Sequence, residues 1–515
     1  MIASEPFLRE IWCRIARGEV RGKGDLQRTK SELVRQHGLR GIPPDSEILA
    51  AIPVDRRGEF QDLLRVKPTR SASGVAVVAV MTPPHACPHG TCIYCPGGPR
   101  VGTPQSYTGS EPAARRAAAH RFDPFEQTVA RLEQLRRTGH ATDKIDLIVL
   151  GGTFTSLDSS FAEDFVKRCF DALNGSISKG LEEAHLRNET AAARCIGLTV
   201  ETKPDRFLGP EVEDALRLGT TRIELGVQTT HDDVLRLVNR GHTDADSRAA
   251  TRRAKEAGLK VCYHVMPGLP GNDVDRDLES FRSIFEDPQY RPDMLKIYPT
   301  LVLEGTGLYT MWKHGRYRPM STEDAVELVA RMKELVPPWV RIQRIQREIG
   351  ADAILGGPTK GDLRVRAQRV LQSRGKRCAC IRCREVGLQG TAPAPDALEL
   401  RRTEYEASGG LEVFLSVEDS AGAALVGYSR LRIGDAGAFL RELKVFGQVV
   451  PIAAEAGERW QHRGYGARLL AECERVAREE HGVRDLLITS GVGVRGYYRR
   501  FGYARRGPYM ARTLS

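Results

Sequence analysis

Cys87, Cys92 and Cys95 stand in the run CPHGTCIYCPGG. Three thiolates on one glycine-rich loop can hold three irons of a 4Fe-4S cluster and leave the fourth without a protein ligand, which makes that iron a site for chemistry. A zinc site short of one ligand, or inert buried thiols, would use the same residues. A second trio, Cys378, Cys380 and Cys383, has C-x-C-x2-C spacing. It fits either structural zinc or thiols buried in an interface; a fourth zinc ligand has to come from elsewhere, with His314 and a water as candidates. The third feature is the turn QHRGYGA, from Gln461 through Gly464, Tyr465, Gly466 and Ala467. Glycines there let successive backbone N–H groups approach a pyrophosphate at the positive end of a helix. Two phenols, Tyr497 and Tyr498, follow near the C-terminus.

The elements around these residues are legible from pattern. Between Val75 and Pro299 a short β-branched run, a polar or glycine-rich turn and an amphipathic stretch recur six times. The runs are Val75–Val80, Ile145–Leu150, Ile196–Val200, Arg222–Val227, Lys260–Met266 and Met294–Tyr298. Alternation of this kind gives βαβ units and a parallel sheet, so the spacing predicts an α/β fold, an open and incomplete (β/α)6 barrel. Chemistry in such barrels sits on the loops after the strands, and the first of those loops carries the cysteine triplet. From about Gly390 the texture changes. Strand-like runs at Glu412–Val417, Ala424–Ile433 and Leu440–Ile452, a helix from Gly464 to His481 and a strand at Asp485–Thr489 predict a second, α+β domain. The predicted division is a basic helical region 1–70, a barrel 71–340, a basic linker 341–390 holding the second cysteine trio, and a C-terminal domain 391–515.

The triplet in its barrel setting resembles radical S-adenosylmethionine enzymes, although C-x4-C-x2-C is one residue longer than the usual C-x3-C-x2-C of that superfamily. In them the free iron chelates the methionine moiety, and a cluster electron cleaves the sulfonium to a 5'-deoxyadenosyl radical. On this resemblance Gly151 and Gly152 lie beside the methionine amino group, and Glu201 and Gln228 are polar partners for the nucleoside. QHRGYGA resembles the signature of the GNAT superfamily of N-acetyltransferases, which implies coenzyme A as the pyrophosphate ligand and Tyr498, beside Tyr497, as the proton donor to the leaving thiolate. The two modules in one chain resemble the family of Elongator catalytic subunits in its prokaryotic single-chain form. The likeness runs through CIYCPGGP, QSYTGSEPAARRA, GGTFTSL, VETKPD, HVMPGLPG, RELKVFG, QHRGYG and SGVGVRGYYRRFGY. It implies acetyl-CoA contacts at Lys144, at Glu442, Leu443, Lys444 and Val445, at Tyr465, Gly466 and Ala467, and at Tyr498. It also implies carboxymethylation of carbon 5 of the wobble uridine in tRNA anticodons, with the anticodon stem-loop as partner. The same motifs permit a protein lysine acetyltransferase with a non-catalytic barrel, or a tRNA-binding scaffold with a structural iron–sulfur cluster.

Composition narrows the classes. The 515 residues, 41% hydrophobic and 28% charged, are ordinary for a multidomain globular chain. The first twenty residues lack a signal-peptide core, and the longest apolar run, Val75 to Met81, is far short of the roughly 20 residues of a membrane span. Eleven cysteines without such a signal predict a reducing compartment, the cytoplasm, and no membrane association. Cys13, Cys169, Cys195, Cys262 and Cys473 are scattered and read as packing residues. The net charge of +11 is concentrated: Arg341 to Arg384 holds twelve Lys and Arg against three acids. Positive charge so dense suits a polyanion, or else a solvated basic face. That run and the N-terminal helices are therefore the expected tRNA-facing surface. Self-association, the electron donor and any accessory subunit stay open at this level.

Overall fold

The computed structural model describes residues 3–53, 56–389, 393–447 and 463–514. Helices Glu5–Ala16, Lys23–Gln36, Asp45–Ala51 and Arg57–Leu64 open the chain. Phe7, Ile11 and Ile15, spaced by four, turn one face of the first helix into a small core with Leu26, Leu33 and Ile48. This region docks on the barrel through backbone: Val66 N–H donates to Thr138 O at 3.0 Å, and Gln61 Nε2 donates to Gly139 O at 2.8 Å.

The six predicted barrel strands are present as β1 (Ala76–Met81), β2 (Lys144–Leu150), β3 (Arg194–Thr202), β4 (Arg222–Gln228), β5 (Lys260–Val265) and β6 (Met294–Ile297). A small antiparallel pair, β7 (Val302–Leu303) with β9 (Ile354–Gly356), brackets a seventh parallel strand, β8 (Arg341–Ile345). The sheet runs β1-β2-β3-β4-β5-β6-β8, all parallel. Strand β8 was hidden because RIQRI alternates charge with isoleucine; Ile342 is buried and Arg341 is neutralised by Glu385 at 2.6 Å. The helix Leu363–Ser373 packs its Leu363, Ala367 and Leu371 into the barrel core beside the helix Thr322–Glu334.

The C-terminal sheet comprises β10 (Leu398–Ala407), β11 (Gly410–Asp419), β12 (Leu425–Gly434), β13 (Gly437–Val445), β14 (Asp485–Ile488), β15 (Ala504–Arg506) and β16 (Tyr509–Thr513), in the order β10-β11-β12-β13-β14-β16-β15. Only β13 and β14 pair in parallel; the other pairs are antiparallel. The helix Tyr465–Arg475 packs across β12 and β13. The expected Leu440–Ile452 strand ends at Val445 among the described residues, with its tail in the undescribed segment 448–462.

The two sheets share an interface built on charge. Arg441 is the extra residue of a bulge in β13, where Arg430 pairs with Glu442 and Leu431 with Leu440. A bulge re-aims its side chain. Arg441 reaches Asp293, just ahead of β6, with Nη1 and Nη2 at 2.8 and 2.6 Å, and Glu412 of β11 at 2.7 Å. Lys255, Arg430 and Arg432 surround the same two carboxylates, and all six side chains are at most 3% exposed. Burial alone would raise the Asp293 carboxyl, yet Arg441, Lys255 and Arg430 hold it well below the usual carboxylate range.

Candidate active site

The loops after the barrel strands enclose a cavity of about 190 Å³ lined by Cys87, Gly152, Glu201, Gln228, His264 and Lys296, among others. The triplet lies in the loop after β1, each cysteine at most 8% exposed. Every sulfur faces a donor. Thr153 Oγ1 is 3.4 Å from Cys87, His89 Nε2 is 3.3 Å and Arg240 Nη1 3.7 Å from Cys92, and Gln105 Nε2 is 3.1 Å from Cys95. Such a shell suits sulfurs carrying negative charge. Arg240 is buried, with Gly226 O and the Cys92 sulfur as its acceptors; burial works against its charge, but Tyr94 and the thiols hold its pKa above the ordinary value.

The arrangement also separates a cluster from a single ion. Thiolates on one zinc at about 2.3 Å stand within roughly 4 Å of one another. Among the described residues Cys378, Cys380 and Cys383 converge within 4.8 Å, and the triplet is not a group that does so. The second trio fits one soft cation; the triplet, with a polar group beside each sulfur on one loop at the cavity, supplies the three thiolates of a cluster with one open iron.

Gly151 and Gly152 follow β2 with φ of 144° and 96°. A Cβ on Gly151 would lie 2.0 Å from Thr82 Oγ1, and one on Gly152 would point between Gln105 and Cys87 Sγ, at 3.4 and 3.8 Å. The pair therefore opens a cradle beside the triplet. Glu201, near the end of β3, accepts from Tyr107 Oη at 3.0 Å and Lys296 Nζ at 3.5 Å. Gln228 ends β4 at φ 72°, lines the cavity, and its buried Oε1 has no partner. An orphaned acceptor and an open cradle fit a bound amino acid and nucleoside such as S-adenosylmethionine. Glu201, Glu224 and His264 also converge as a donor set, but the Lys296 ammonium, paired with Glu224, already supplies the positive charge there.

The glycine turn lies at the other end of the barrel strands. Gly464, at φ 84°, caps the helix Tyr465–Arg475 and so turns the positive end of that helix toward the glycine turn. A Cβ on Gly466 would come within 2.8 Å of Tyr497 Oη and 3.9 Å of Val445, so Tyr465 to Ala467, the end of β13 and the tyrosine pair meet at one place. Tyr498 is 6% exposed, its ring 5.2 Å from that of Tyr497. Burial, then Tyr497, pushes its phenol well above the ordinary value, so at neutral pH it keeps its proton. Glu442 lies within electrostatic reach of Tyr498; Leu443 and Lys444 pair with Ser429 and Tyr428 of β12. Gln461 lies outside the described residues.

Lys144 opens β2, and Asp146, Ile148 and Leu150 share its face of the strand. Lys444 feels the charge of Asp146, whereas Ile148 and Leu150 line the cavity. One strand face thus runs from the seam with the C-terminal domain to the cysteine cavity, about 20 Å for six residue steps.

At the second trio the structure corrects one expectation. His314 is exposed and its Nδ1 is 2.7 Å from Thr310 O, because its helix, Gly307–Lys313, packs beside the Cys92 loop instead. The neighbour found at Cys383 is Lys333, fully buried, with Nζ 3.4 Å from Sγ. The basic run is likewise less exposed than its composition implies. Arg341 and Arg384 are buried against Glu385 and Glu418, and Arg364 donates to Ile342 O at 3.1 Å. Arg366, Arg374 and Lys376 pair with Glu323, Glu327 and Glu334 on the helix they pack against. Lys360, Arg369 and Arg377 remain exposed.

Residues 81–284 match the Radical SAM superfamily, 292–372 the Radical_SAM C-terminal domain and 5–72 the ELP3 N-terminal domain. The chain is 47% identical to a tRNA uridine(34) acetyltransferase of Methanocaldococcus jannaschii over 97% of its own length and 95% of the relative's. It is 44% identical to Elongator complex protein 3 of Homo sapiens, over 95% and 93%. A solved structure of Methanocaldococcus infernus Elp3 lacking residues 1–46 superposes with a TM-score of 0.76 at 44% identity, covering 86% of this chain and all of that one.

Proposed function

The chain belongs to the Elp3 family, and on that footing we propose that it carboxymethylates carbon 5 of the wobble uridine in tRNA anticodons, drawing the two-carbon unit from acetyl-CoA. The observation that carries the reading is the pairing of two sites in one chain: a donor-lined cysteine loop over an open cavity in the barrel, and a glycine turn beside a buried phenol in the domain packed against it through Arg441 and Asp293.

The methyl of acetyl-CoA is a weak acid, and a cluster with S-adenosylmethionine, when bound, supplies a carbon radical that abstracts hydrogen without a strong base. The protein's part is placement. Cys87, Cys92 and Cys95 would hold the cluster, and Gly151, Gly152, Glu201 and Gln228 would hold the amino acid and nucleoside. Amides of Tyr465, Gly466 and Ala467 would take the pyrophosphate, with Lys144 and the strand from Glu442 to Val445 beside the acyl arm. Joining the methyl carbon to carbon 5 would release the hydrogen there as a proton and one electron, the electron returning to the cluster when bound. Water then adds to the thioester carbonyl and the carbon–sulfur bond breaks. Tyr498 gives its proton to the departing thiolate and regains one from the water, and the second water proton leaves the new carboxylate to solvent. The trio Cys378, Cys380 and Cys383 is assigned to structural zinc, and a cytoplasmic setting follows from the need for tRNA and reduced thiols.

Feeding acetyl-CoA labelled on the methyl carbon, with tRNA, S-adenosylmethionine and reductant, tests the whole. Label is expected in carboxymethyluridine; label confined to protein lysines selects the lysine acetyltransferase.

We assign the anticodon stem-loop to the surface carrying Lys360, Arg369 and Arg377, together with the N-terminal helices. Replacing those three by alanine removes one exposed hydrogen bond, from Arg377 Nη2 to Ala421 O at 2.8 Å, and no ion pair among the described residues. Affinity for tRNA should fall at an unchanged melting temperature, and the salt slope should become shallower by roughly 2 to 3. Unchanged binding places the RNA on another face.

A further inference from the structure

Glu189 caps the C-terminus of the barrel helix Leu181–Asn188 and is 7% exposed. Carbonyl ends crowd that position, so a carboxylate there is disfavoured by its own helix. Its charge is answered from the other domain. Oε1 lies 3.4 Å from Arg495 Nη1, and Oε2 pairs with Arg499 Nη1. Glu182 of the same helix takes Arg505 Nη2 at 2.8 Å. Arg495 and Arg499 are the two ends of the five-residue helix that bears Tyr497 and Tyr498.

So short a helix has no stability of its own, and tertiary contacts must fix it. The segment leading into it lies directly on the barrel. A Cβ on Gly491 would come within 2.1 Å of Ile196 O, and one on Gly493 within 2.5 Å of Arg194 Cβ; Val492 is part of the barrel core. β3, which that segment touches at its start, ends at the cavity with Glu201 and Thr202.

We propose that Glu189 is a positioning residue for the thioester chemistry: the barrel, through Arg495 and Arg499, sets where the tyrosine pair stands over the glycine turn. This rests on the reading that the tyrosine pair serves acetyl-CoA cleavage. The amides of Tyr465 to Ala467 belong to another helix that Glu189 does not touch, so placement of the phenol and binding of the pyrophosphate are separable.

The test uses the full chain, with tRNA, S-adenosylmethionine and reductant, and follows release of coenzyme A from acetyl-CoA. Glu189→Gln keeps the shape and deletes the charge. Its kcat is expected to fall roughly 10- to 100-fold, the scale of a misplacement near 1 Å, with KM for acetyl-CoA within about twofold. Reductant-driven S-adenosylmethionine cleavage should be unchanged. Arg499→Gln, whose side chain is half exposed, should give the same kcat fall, and the double variant should be no slower than either single one. Should Glu189→Gln fail to fold, Arg499→Gln alone carries the measurement. Wild-type kcat in both, or additive losses in the double variant, overturns the proposal. Tyr498→Phe separates it from its premise: if the phenylalanine variant is slow while Glu189→Gln and Arg499→Gln are not, the proton donor stands and the positioning role falls. If Tyr498→Phe is as fast as wild type while the Glu189 cycle is slow, the reading of Tyr498 fails and the coupling across the interface stands.

Discussion

Cys92→Ala, reconstituted anaerobically, will show no 4Fe-4S absorption and release no 5'-deoxyadenosine from S-adenosylmethionine, while its affinity for coenzyme A stays at the wild-type value. Cys92 is 4% exposed and stands between the other two thiols in the loop, so its loss leaves two sulfurs where three irons need ligands. Substitution by a neighbour is the one route to rescue. His89 lies against the Cys92 sulfur, and burial with nearby cations pushes its imidazole down to about 4, so at neutral pH it is an uncharged ring able to bind iron. The double variant Cys92→Ala, His89→Ala closes that route, and any residual iron in the single variant should vanish in it. Normal uridine modification by a protein without iron would sink the radical reading. Coenzyme A binding is the internal control, because the glycine turn is at the far end of the strands and shares no residue with the cavity.

What could be read beforehand follows from how locally each feature is encoded. The cysteine triplet, the glycine pair after β2 and the turn at Gly464 to Ala467 are each written within a few consecutive residues, so type and spacing sufficed. Arg240 and Gln105 could not be found that way. Arg240 is 148 residues from Cys92, and the fold brings it there by ending β4 beside the first loop. Lys296 has the same character: in MLKIYP it passes for a surface lysine in a strand, and only closure of the sheet puts it between Glu201 and Glu224. The basic run misled for a complementary reason. Its charges read as solvated, but the helix Leu363–Ser373 buries one face on the barrel and lays its arginines along acids of Thr322–Glu334, which sit some forty residues earlier. Composition reports charge density; it does not report which charges are already paired. Strand β10 was missed because LELRRTEYEA is an edge strand with a broken alternation, its exposed positions Glu399, Arg402, Glu404 and Glu406 all charged.

The charged interface yields the largest stability effect. Arg441→Met should cost about 3 to 5 kcal/mol, since it leaves Asp293 and Glu412 buried without their shared bidentate partner. Methionine fills most of the arginine volume, so the loss reports charge more than packing. Both carboxyls are fully buried and held below their usual values: Asp293 chiefly by Arg441, and Glu412 by Arg441 and then Lys255, each against the upward push of burial. Groups depressed in the folded state contribute stability that is present above their unfolded pKa of about 4 and is lost as pH falls through the folded values. Wild-type stability from this network should therefore be flat between about pH 5 and 7, decline at more acidic pH, and rise as pH passes about 8, where the buried Lys255 ammonium, pushed down by burial, loses its proton in the folded state. In Arg441→Met the depression is weakened, so the decline should begin nearer neutrality. Asp293→Asn in the same background removes one of the stranded charges and should restore part of the loss, a coupling that urea titrations at pH 7 can resolve. A single substitution that costs under about 1 kcal/mol, or a pH profile identical to wild type, would show that water or the remaining cations, Lys255, Arg430 and Arg432, already compensate the pair. The interface would then be held by its backbone contacts, at Gly491 and Gly493 on β3, and not by its ions.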